Sequence, residues 1–136
     1  MRPAPAFRLL IALCGLLLLG GCAGLEENRR NSDFGLQTLS YENAIRWGEY
    51  KLAASYIKPG TLAAPIDFGR YDGIQITDYQ VRNTRREGEA RITLELRISY
   101  LRKGEVAVRQ VDQEQVWEYD EGSKRWWIIG GLPEFR

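Results

Sequence analysis

The chain has 136 residues, with 19 Lys and Arg against 18 Asp and Glu, so its formal net charge is only +1. This balance argues against a nucleic-acid partner, because binding the phosphate backbone needs Lys and Arg clustered on one face. The sequence has no histidine, which removes the commonest general base and metal ligand, and we therefore expect neither a metal nor a cofactor.

The first 22 residues have the layout of an export signal. Arg2 and Arg8 form a basic flank, residues 9–19 are an apolar run too short to cross a bilayer as a helix, and small residues follow. The tetrapeptide Leu19-Gly20-Gly21-Cys22 resembles the lipobox of bacterial lipoproteins. The resemblance implies a diacylglyceryl group on Cys22, cleavage of residues 1–21 as the signal peptide, and acylation of the new amine. The alternatives are an ordinary secretory leader in which Cys22 is a chance residue, and an uncleaved apolar anchor.

Acylation would also determine where the protein resides. More than one acyl chain is needed for stable attachment, and a lipoprotein cysteine carries three. Aspartate at position two of such lipoproteins favours the inner membrane, whereas this chain has Ala23, so the resemblance implies a lipid anchor in the outer membrane and a domain facing the periplasm. Residues 22–38 are polar and contain two glycines, and they predict a lipidated tether before a domain at 39–136. If Phe34 and Leu36 dock against the domain, the tether is shorter.

One helix is predicted after the tether. Ser40 is placed to cap its first turn, Leu39 and Ala44 have the spacing of a hydrophobic staple, and Pro59-Gly60 ends it. Gly48 in the helix interior suggests a second backbone crossing closely there. The apolar face recurs at helical spacing and is widened by further large residues; its members are Tyr41, Ala44, Ile45, Trp47, Gly48, Tyr50, Leu52, Ala54, Ser55, Tyr56 and Ile57.

Four antiparallel strands are predicted beyond the helix. Residues 74–81 change parity, so we expect a bulge near Thr77-Asp78 and an edge strand. Residues 90–100 alternate regularly and form the strongest strand, and hairpins at 102–104 and 121–123 lead to the third and fourth strands. The sequence therefore predicts an α+β fold in which one long N-terminal helix packs in a curved four-stranded antiparallel sheet.

Two hairpins leave the register open. A three-residue turn ending at Gly104 pairs Ile98 with Val108, buries Val106 as well and needs a bulge near residues 109–110, whereas a two-residue turn pairs Ile98 with Arg109. We prefer the first. In either case Gln113 and Gln115 face inward beside Leu94 and Ile92. Counting back from the last hairpin pairs Trp117 with Trp127 and leaves Trp126 on the reverse face.

The order of elements over about residues 39–132 resembles the cystatin-like α+β roll, which includes the nuclear-transport-factor-2-like superfamily. The segment 41–48 also looks like the helix of small proteobacterial outer-membrane lipoproteins, and a split α/β sandwich of another such type is the alternative fold. In the roll a pocket lies between the helix and the concave sheet, and enzymes of the superfamily use an inward aspartate with a tyrosine or histidine there. The carboxylates available here are those of Asp67, Asp72, Asp78 and Asp112, each of which suits a turn, a bulge or a solvated face better than catalysis.

Inward polar and aromatic residues form the candidate pocket, which comprises Tyr79, Gln113, Gln115, Trp117 and Trp127. Amides would orient an apolar or amphiphilic ligand, and the facing tryptophans would stack on a sugar ring. A satisfied internal network or a slipped register is the alternative. We therefore expect a lipid-anchored binding or assembly domain that meets envelope proteins through an edge strand, with an enzyme acting on a small apolar substrate as the alternative.

Overall fold

A computed structural model of the chain describes residues 21–136. The chain divides into two compact units, residues 1–33 and 34–136, and the described part of the first unit is helical. The predicted signal peptide at 1–21, apart from Gly21 at the start of the helix, lies outside the described residues, and so do Leu19 and Gly20 of the lipobox.

The first helix, α1, runs from Gly21 to Arg46 and is much longer than predicted. The expectation that it begins at Ser40 is wrong, because the Ser40 hydroxyl lies inside the helix and donates to the Leu36 carbonyl at 2.9 Å. Glu42 and Arg46 form an ion pair one turn apart at 2.8 Å, which stabilises the last turns of α1. Residues 22–38, the predicted tether, are helical.

Phe34 of α1 packs against the core of the second unit. Its ring lies 5.0 Å from that of Trp126 and 5.9 Å from that of Trp117, centroid to centroid. Leu36 is 62% exposed. Of the two tether residues with a possible docking role, only Phe34 packs against the domain.

A Schellman motif ends α1. The Gly48 amide donates to the Ile45 carbonyl at 3.1 Å and the Glu49 amide to the Ala44 carbonyl at 2.8 Å, while Gly48 has a φ of +71°. The prediction of a glycine inside one continuous helix is therefore wrong. Gly48 supplies the left-handed turn instead, and a Cβ built there would lie in ordinary contact with a ring carbon of Tyr50 at 3.7 Å.

A short helix, α2, follows from Tyr50 to Ala54, and a 3₁₀ helix covers Phe68–Tyr71. The break at Gly48 rotates the second helical segment relative to the predicted apolar face. Trp47 is 80% exposed and Leu52 48% exposed, so their assignment to that face is wrong, whereas Tyr50 is buried.

The sheet has four antiparallel strands in the order β1-β2-β3-β4, namely Ile74–Arg86, Arg91–Arg102, Arg109–Asp120 and Arg125–Ile129. The predicted bulge in β1 is confirmed by a register shift between Ile76 and Asp78, and a second shift falls between Val81 and Asn83. β1 starts immediately after Gly73, where an added Cβ would lie 2.9 Å from the Lys103 Cβ. The prediction that the Ile74–Val81 segment forms an edge strand is confirmed.

Both predicted registers between β2 and β3 are wrong. Ile98 pairs with Val111 and Leu94 with Gln115, without a bulge. The connecting loop is longer than either predicted turn, and it leaves Val106 98% exposed and Val108 57% exposed. The parity of Gln113 and Gln115 is as predicted, but their cross-strand neighbours are Leu96 and Leu94.

The register of β4 is displaced by one residue from the prediction. Trp117 pairs with Ile128 and Glu118 with Trp127. The hairpin loop has four residues because Lys124 adopts a φ of 53°, and the Asp120 carboxylate accepts from the Ser123 amide at 2.8 Å. A one-residue change in loop length exchanges the two faces of the strand.

The predicted α+β fold of one long helix and a four-stranded antiparallel sheet is confirmed. The C-terminal tail packs as expected, with Leu132 and Phe135 buried. The core of the second unit is built from α1, α2, β1, β2, β3, β4 and the tail; its largest fully buried side chains are Tyr41, Ile45, Ile92, Leu96, Ile98, Tyr100, Gln115, Trp117, Trp126, Ile128 and Pro133.

Candidate functional site

Cys22 is exposed near the start of α1 as a free thiol. Its side chain is accessible to modification, but the flanking Leu19 and Gly20 lie outside the described residues. Among the helices of residues 21–136, none is long and apolar enough to cross a membrane.

Four of the five predicted pocket residues lie on the inner face of the sheet, which packs on the core, but they do not line one cavity. Tyr79, Gln115 and Trp117 are buried in the core at 7%, 2% and 0% exposure. Gln113 is half-buried at the edge of a surface groove. Trp127 lies on the opposite face, where the Arg125 guanidinium stacks 4.0 Å from its ring centroid. The expected pair of facing tryptophans is therefore wrong, and Trp126 occupies the inward position.

Gln115 is the buried polar side chain that lies between Trp117 and Tyr41. Its Oε1 accepts a hydrogen bond from the indole nitrogen of Trp117 at 2.8 Å. Its amide nitrogen and the Tyr41 hydroxyl are buried without a hydrogen-bond partner among the described residues. The internal network is therefore only partly satisfied.

The titratable groups near this network are phenols. Burial raises the pKa of Tyr41 well above its ordinary value, and Tyr79 raises it further, while the Gln115 side chain acts in the opposite direction. Burial is also the main cause of the raised pKa of Tyr79, to which Glu42 contributes and which Arg46 opposes. Both hydroxyls are protonated at neutral pH, so they can donate hydrogen bonds but cannot act as general bases.

The four aspartates considered as carboxylates for catalysis have structural contacts or lie in turns. Asp67 accepts from the Gly69 amide at 3.0 Å and caps the 3₁₀ helix, which Asp72 terminates. Asp78 accepts from the Tyr79 amide at 2.9 Å. Asp112 makes a bidentate pair with Arg97 at 2.7 and 2.9 Å, and this hydrogen bonding holds the pKa of its carboxyl below its usual range. Residues 21–136 contain no group of three or more potential metal ligands.

The edges of the sheet are a second kind of candidate site, because unpaired main-chain groups there can bind another strand. The edge at β1 is partly occupied. Antiparallel pairing alternates, so the main-chain groups of Tyr79 and Thr84 point away from β2. The Tyr79 carbonyl accepts from Arg46 at 3.0 Å, the Tyr79 amide donates to Asp78, and the Thr84 amide donates to Asn83 at 2.9 Å. Bulges and occupied main-chain groups are typical of an edge that avoids further pairing.

β4 is also covered along its outer edge. The Ile128 amide donates to the Tyr56 carbonyl at 2.8 Å, and the Lys58 amide donates to the Ile128 carbonyl at 2.9 Å. This short parallel bridge centres on Ile57 and Ile128.

The outer edge of β3 is covered only in part. β4 pairs with residues 116–120 and ends at Ile129, whereas β3 begins at Arg109. The Tyr119 amide donates to the Ala90 carbonyl on the β2 side, so by alternation the even-numbered residues of β3 point outward. Gln110, Asp112 and Glu114 therefore direct their amides and carbonyls to an edge with no main-chain partner in the described part of the chain.

A groove of about 740 Å³ lies beside this free edge. The C-terminal tail leaves the sheet at Gly130, which has a φ of +131°, and the tail forms the opposite wall. Arg102 donates to the Phe135 carbonyl at 2.8 Å, and Tyr100 and Arg109 donate to the Arg136 carbonyl. The lining residues are Tyr100, Arg109, Gln110, Val111, Asp112, Gln113, Gly131, Leu132, Glu134 and Arg136.

Charges in the groove are paired within the protein. Arg109 binds Glu105 through two bonds of 2.8 and 3.1 Å, and Arg136 binds Glu134 at 3.1 Å. The buried Oε1 of Gln113 has no hydrogen-bond partner among the described residues. The groove thus presents apolar surface and the unpaired main chain of β3. Sequence reasoning missed this site, although the early stop of the last strand at Gly130-Gly131 was visible.

Comparisons with known proteins support the fold alone. No family model matches the chain, and no curated protein does. The solution structure of a SEC-C motif containing protein from Rhodopseudomonas palustris is similar, with a TM-score of 0.53 and 15% sequence identity over 67% of this chain and 70% of that one. Such a similarity establishes a shared α+β fold and does not assign a function.

Proposed function

We propose that the protein is an outer-membrane lipoprotein, acylated on Cys22, whose periplasmic domain acts by binding or assembly. The observation that carries the proposal is the tetrapeptide Leu19-Gly20-Gly21-Cys22 at the end of an apolar leader with a basic flank. The exposed Cys22 thiol is consistent with modification at that position. Ala23, in place of an aspartate, supports the outer membrane as the destination.

The packing of the second unit favours binding at the surface over catalysis in an interior pocket. Large side chains fill the space between α1 and the sheet, since Tyr41, Ile45 and Trp117 are each 0% exposed. The phenols there are protonated at neutral pH and are suited to donating hydrogen bonds. A cystatin-like α+β roll is the architecture that we propose, and the packing of Phe34 and Tyr41 on Trp117 supports it.

Mass spectrometry of the protein isolated from its own host tests the anchor. The expected N-terminal tryptic peptide spans Cys22 to Arg29 and carries a diacylglyceryl group and an amide-linked fatty acid. Cys22→Ala is expected to abolish incorporation of labelled palmitate. The matched control is Ala23→Asp, which should keep the acyl groups but move the protein to the inner-membrane fraction.

Two results would contradict the proposal. One is an unmodified Cys22 thiol on a chain found in the soluble fraction. The other is unchanged palmitate incorporation in Cys22→Ala, which would place the acyl groups elsewhere.

A further inference from the structure

The free half of β3 has the chemistry of a strand acceptor. Gln110, Asp112 and Glu114 direct their amides and carbonyls outward over about 14 Å of extended chain. The pattern of donors and acceptors at this spacing is complementary to the main chain of another extended segment. A groove that Gln110 and Asp112 help to line runs beside this edge.

The other edges of the sheet do not offer the same opportunity. Bulges interrupt β1, and side chains occupy the outward main-chain groups of Tyr79 and Thr84. The segment that contains Ile57 covers β4. β1 is therefore an interrupted edge and β4 is covered at Ile128, whereas residues 109–115 form an acceptor without a bulge.

The groove beside β3 adds a side-chain site to the main-chain site. Alternate residues of an added strand would point toward Val111 and the buried Leu132. Both side chains line the groove, so the added strand would meet apolar surface there. Because Arg109 and Arg136 are already paired with acidic residues, the groove does not select strongly for a charged occupant.

We propose that the edge of β3 from Arg109 to Gln115 binds an extended segment of a partner protein as a fifth strand of the sheet. The segment has an apolar side chain that packs on Val111 and Leu132. That the partner is an envelope protein rests on the proposed function, whereas the strand acceptor itself does not.

Proline substitution at an outward position provides a sharp test. The Asp112 amide is not used in the β2–β3 ladder, so Asp112→Pro removes an outward donor and places a ring where an added strand would pair. Asp112→Ala is the matched control, because both variants lose the ion pair with Arg97. Gln110→Pro with Gln110→Ala repeats the comparison near the end of the strand, in case Asp112→Pro does not fold.

The experiment uses the full chain purified from its host, in detergent if it is found in the membrane fraction. A library of random seven-residue peptides is selected against it, and the enriched peptides serve as the probes for binding and for amide hydrogen exchange. We expect them to slow the exchange of the Asp112 and Glu114 amides. Asp112→Pro should weaken binding at least about tenfold, as expected for the loss of a main-chain hydrogen bond together with steric exclusion, whereas Asp112→Ala should bind within about threefold of the unchanged chain.

Several outcomes would overturn the proposal: no enriched peptide, protection at β1 instead of β3, or equal affinity for Asp112→Pro and Asp112→Ala. Protection of the same amides that rises with protein concentration in the absence of peptide would assign the edge to a second copy of this chain. These outcomes are independent of the acyl groups on Cys22, so either proposal can fail while the other stands.

Discussion

The register of β4 makes a strong prediction about two adjacent tryptophans. Trp126 is 0% exposed and contacts Phe34 and Tyr119 through its ring, at centroid distances of 5.0 and 5.4 Å. Trp127 lies on the outer face, with Arg125 over its ring and its indole nitrogen donating to the Ser123 hydroxyl at 3.1 Å. The same substitution at these two positions should therefore have very different effects.

The magnitudes follow from burial. A buried tryptophan removes about 200 Å² from water, worth about 5 kcal/mol at about 25 cal/mol per Å², and measured Trp-to-Ala changes in cores cost about 3–5 kcal/mol. Trp126→Ala should lower the free energy of unfolding by that amount, a large part of the roughly 5–15 kcal/mol available to a small domain. Trp127→Ala should cost about 1 kcal/mol, the size of an exposed cation–π contact.

Urea unfolding of the full chain, followed by far-ultraviolet circular dichroism, measures both values. The unchanged chain and the two variants should share one m-value, so that a shift in midpoint reports stability alone. A larger loss for Trp127→Ala than for Trp126→Ala would refute the register described here and restore the pairing of Trp117 with Trp127.

Three further substitutions test local features. Gly48→Ala should destabilise the protein by about 1–2 kcal/mol because of the positive φ. Gly35→Ala, in a helical position with open space around it, should stabilise the protein by up to about 1 kcal/mol. If thermal unfolding shows the same sign for both changes, the end of α1 at Gly48 is contradicted. Val106→Lys, at a residue 98% exposed, should change the unfolding free energy by less than about 0.5 kcal/mol, and a core-sized loss in urea would favour one of the shorter turns. The pKa of the Asp112 carboxyl, followed by its carbon resonance, should lie below 3.8 and return toward 3.8 in Arg97→Gln. Because the folded-state pKa is depressed, the pair stabilises the fold above the unfolded-state pKa, and this contribution disappears as the pH falls through the folded-state pKa. An unchanged pKa in the variant would show that Arg97 is not the cause.

Regular alternation made the central strand predictable. β2 pairs on both edges and is covered on its inner face, so its apolar residues recur at every second position from Ile92 to Tyr100. The bulge at residues 76–78 was predictable for the same reason, since a change in parity leaves a visible break in the pattern.

The start of α1 was not predictable from apolar periodicity. Phe34 packs on the core, but the turns of α1 before it carry mostly polar residues. Gly48 was open to two interpretations, because a glycine inside a helix and a glycine just after one look alike until the hydrogen bonds of the Schellman motif are known.

The predicted pocket depended on the register between β3 and β4, which the sequence does not determine because two tryptophans are adjacent in β4. Trp126 and Trp127 are adjacent, so alternation does not show which of them faces inward. The choice depends on Lys124, a non-glycine residue with positive φ, which sequence propensities disfavour. The accessible edge of β3 follows from the short pairing with β4, and it appears only after every strand has been aligned.

The parallel bridge between Ile57 and Ile128 has a consequence for folding kinetics. It joins segments about 70 residues apart in the chain, and closing so large a loop has a substantial entropic cost before any contact compensates for it. Such long-range contacts slow folding relative to neighbouring hairpins. During synthesis, the residues around Ile57 cannot form this bridge until Ile128 has been added to the chain. A nascent polypeptide that stops short of β4 therefore cannot complete the sheet.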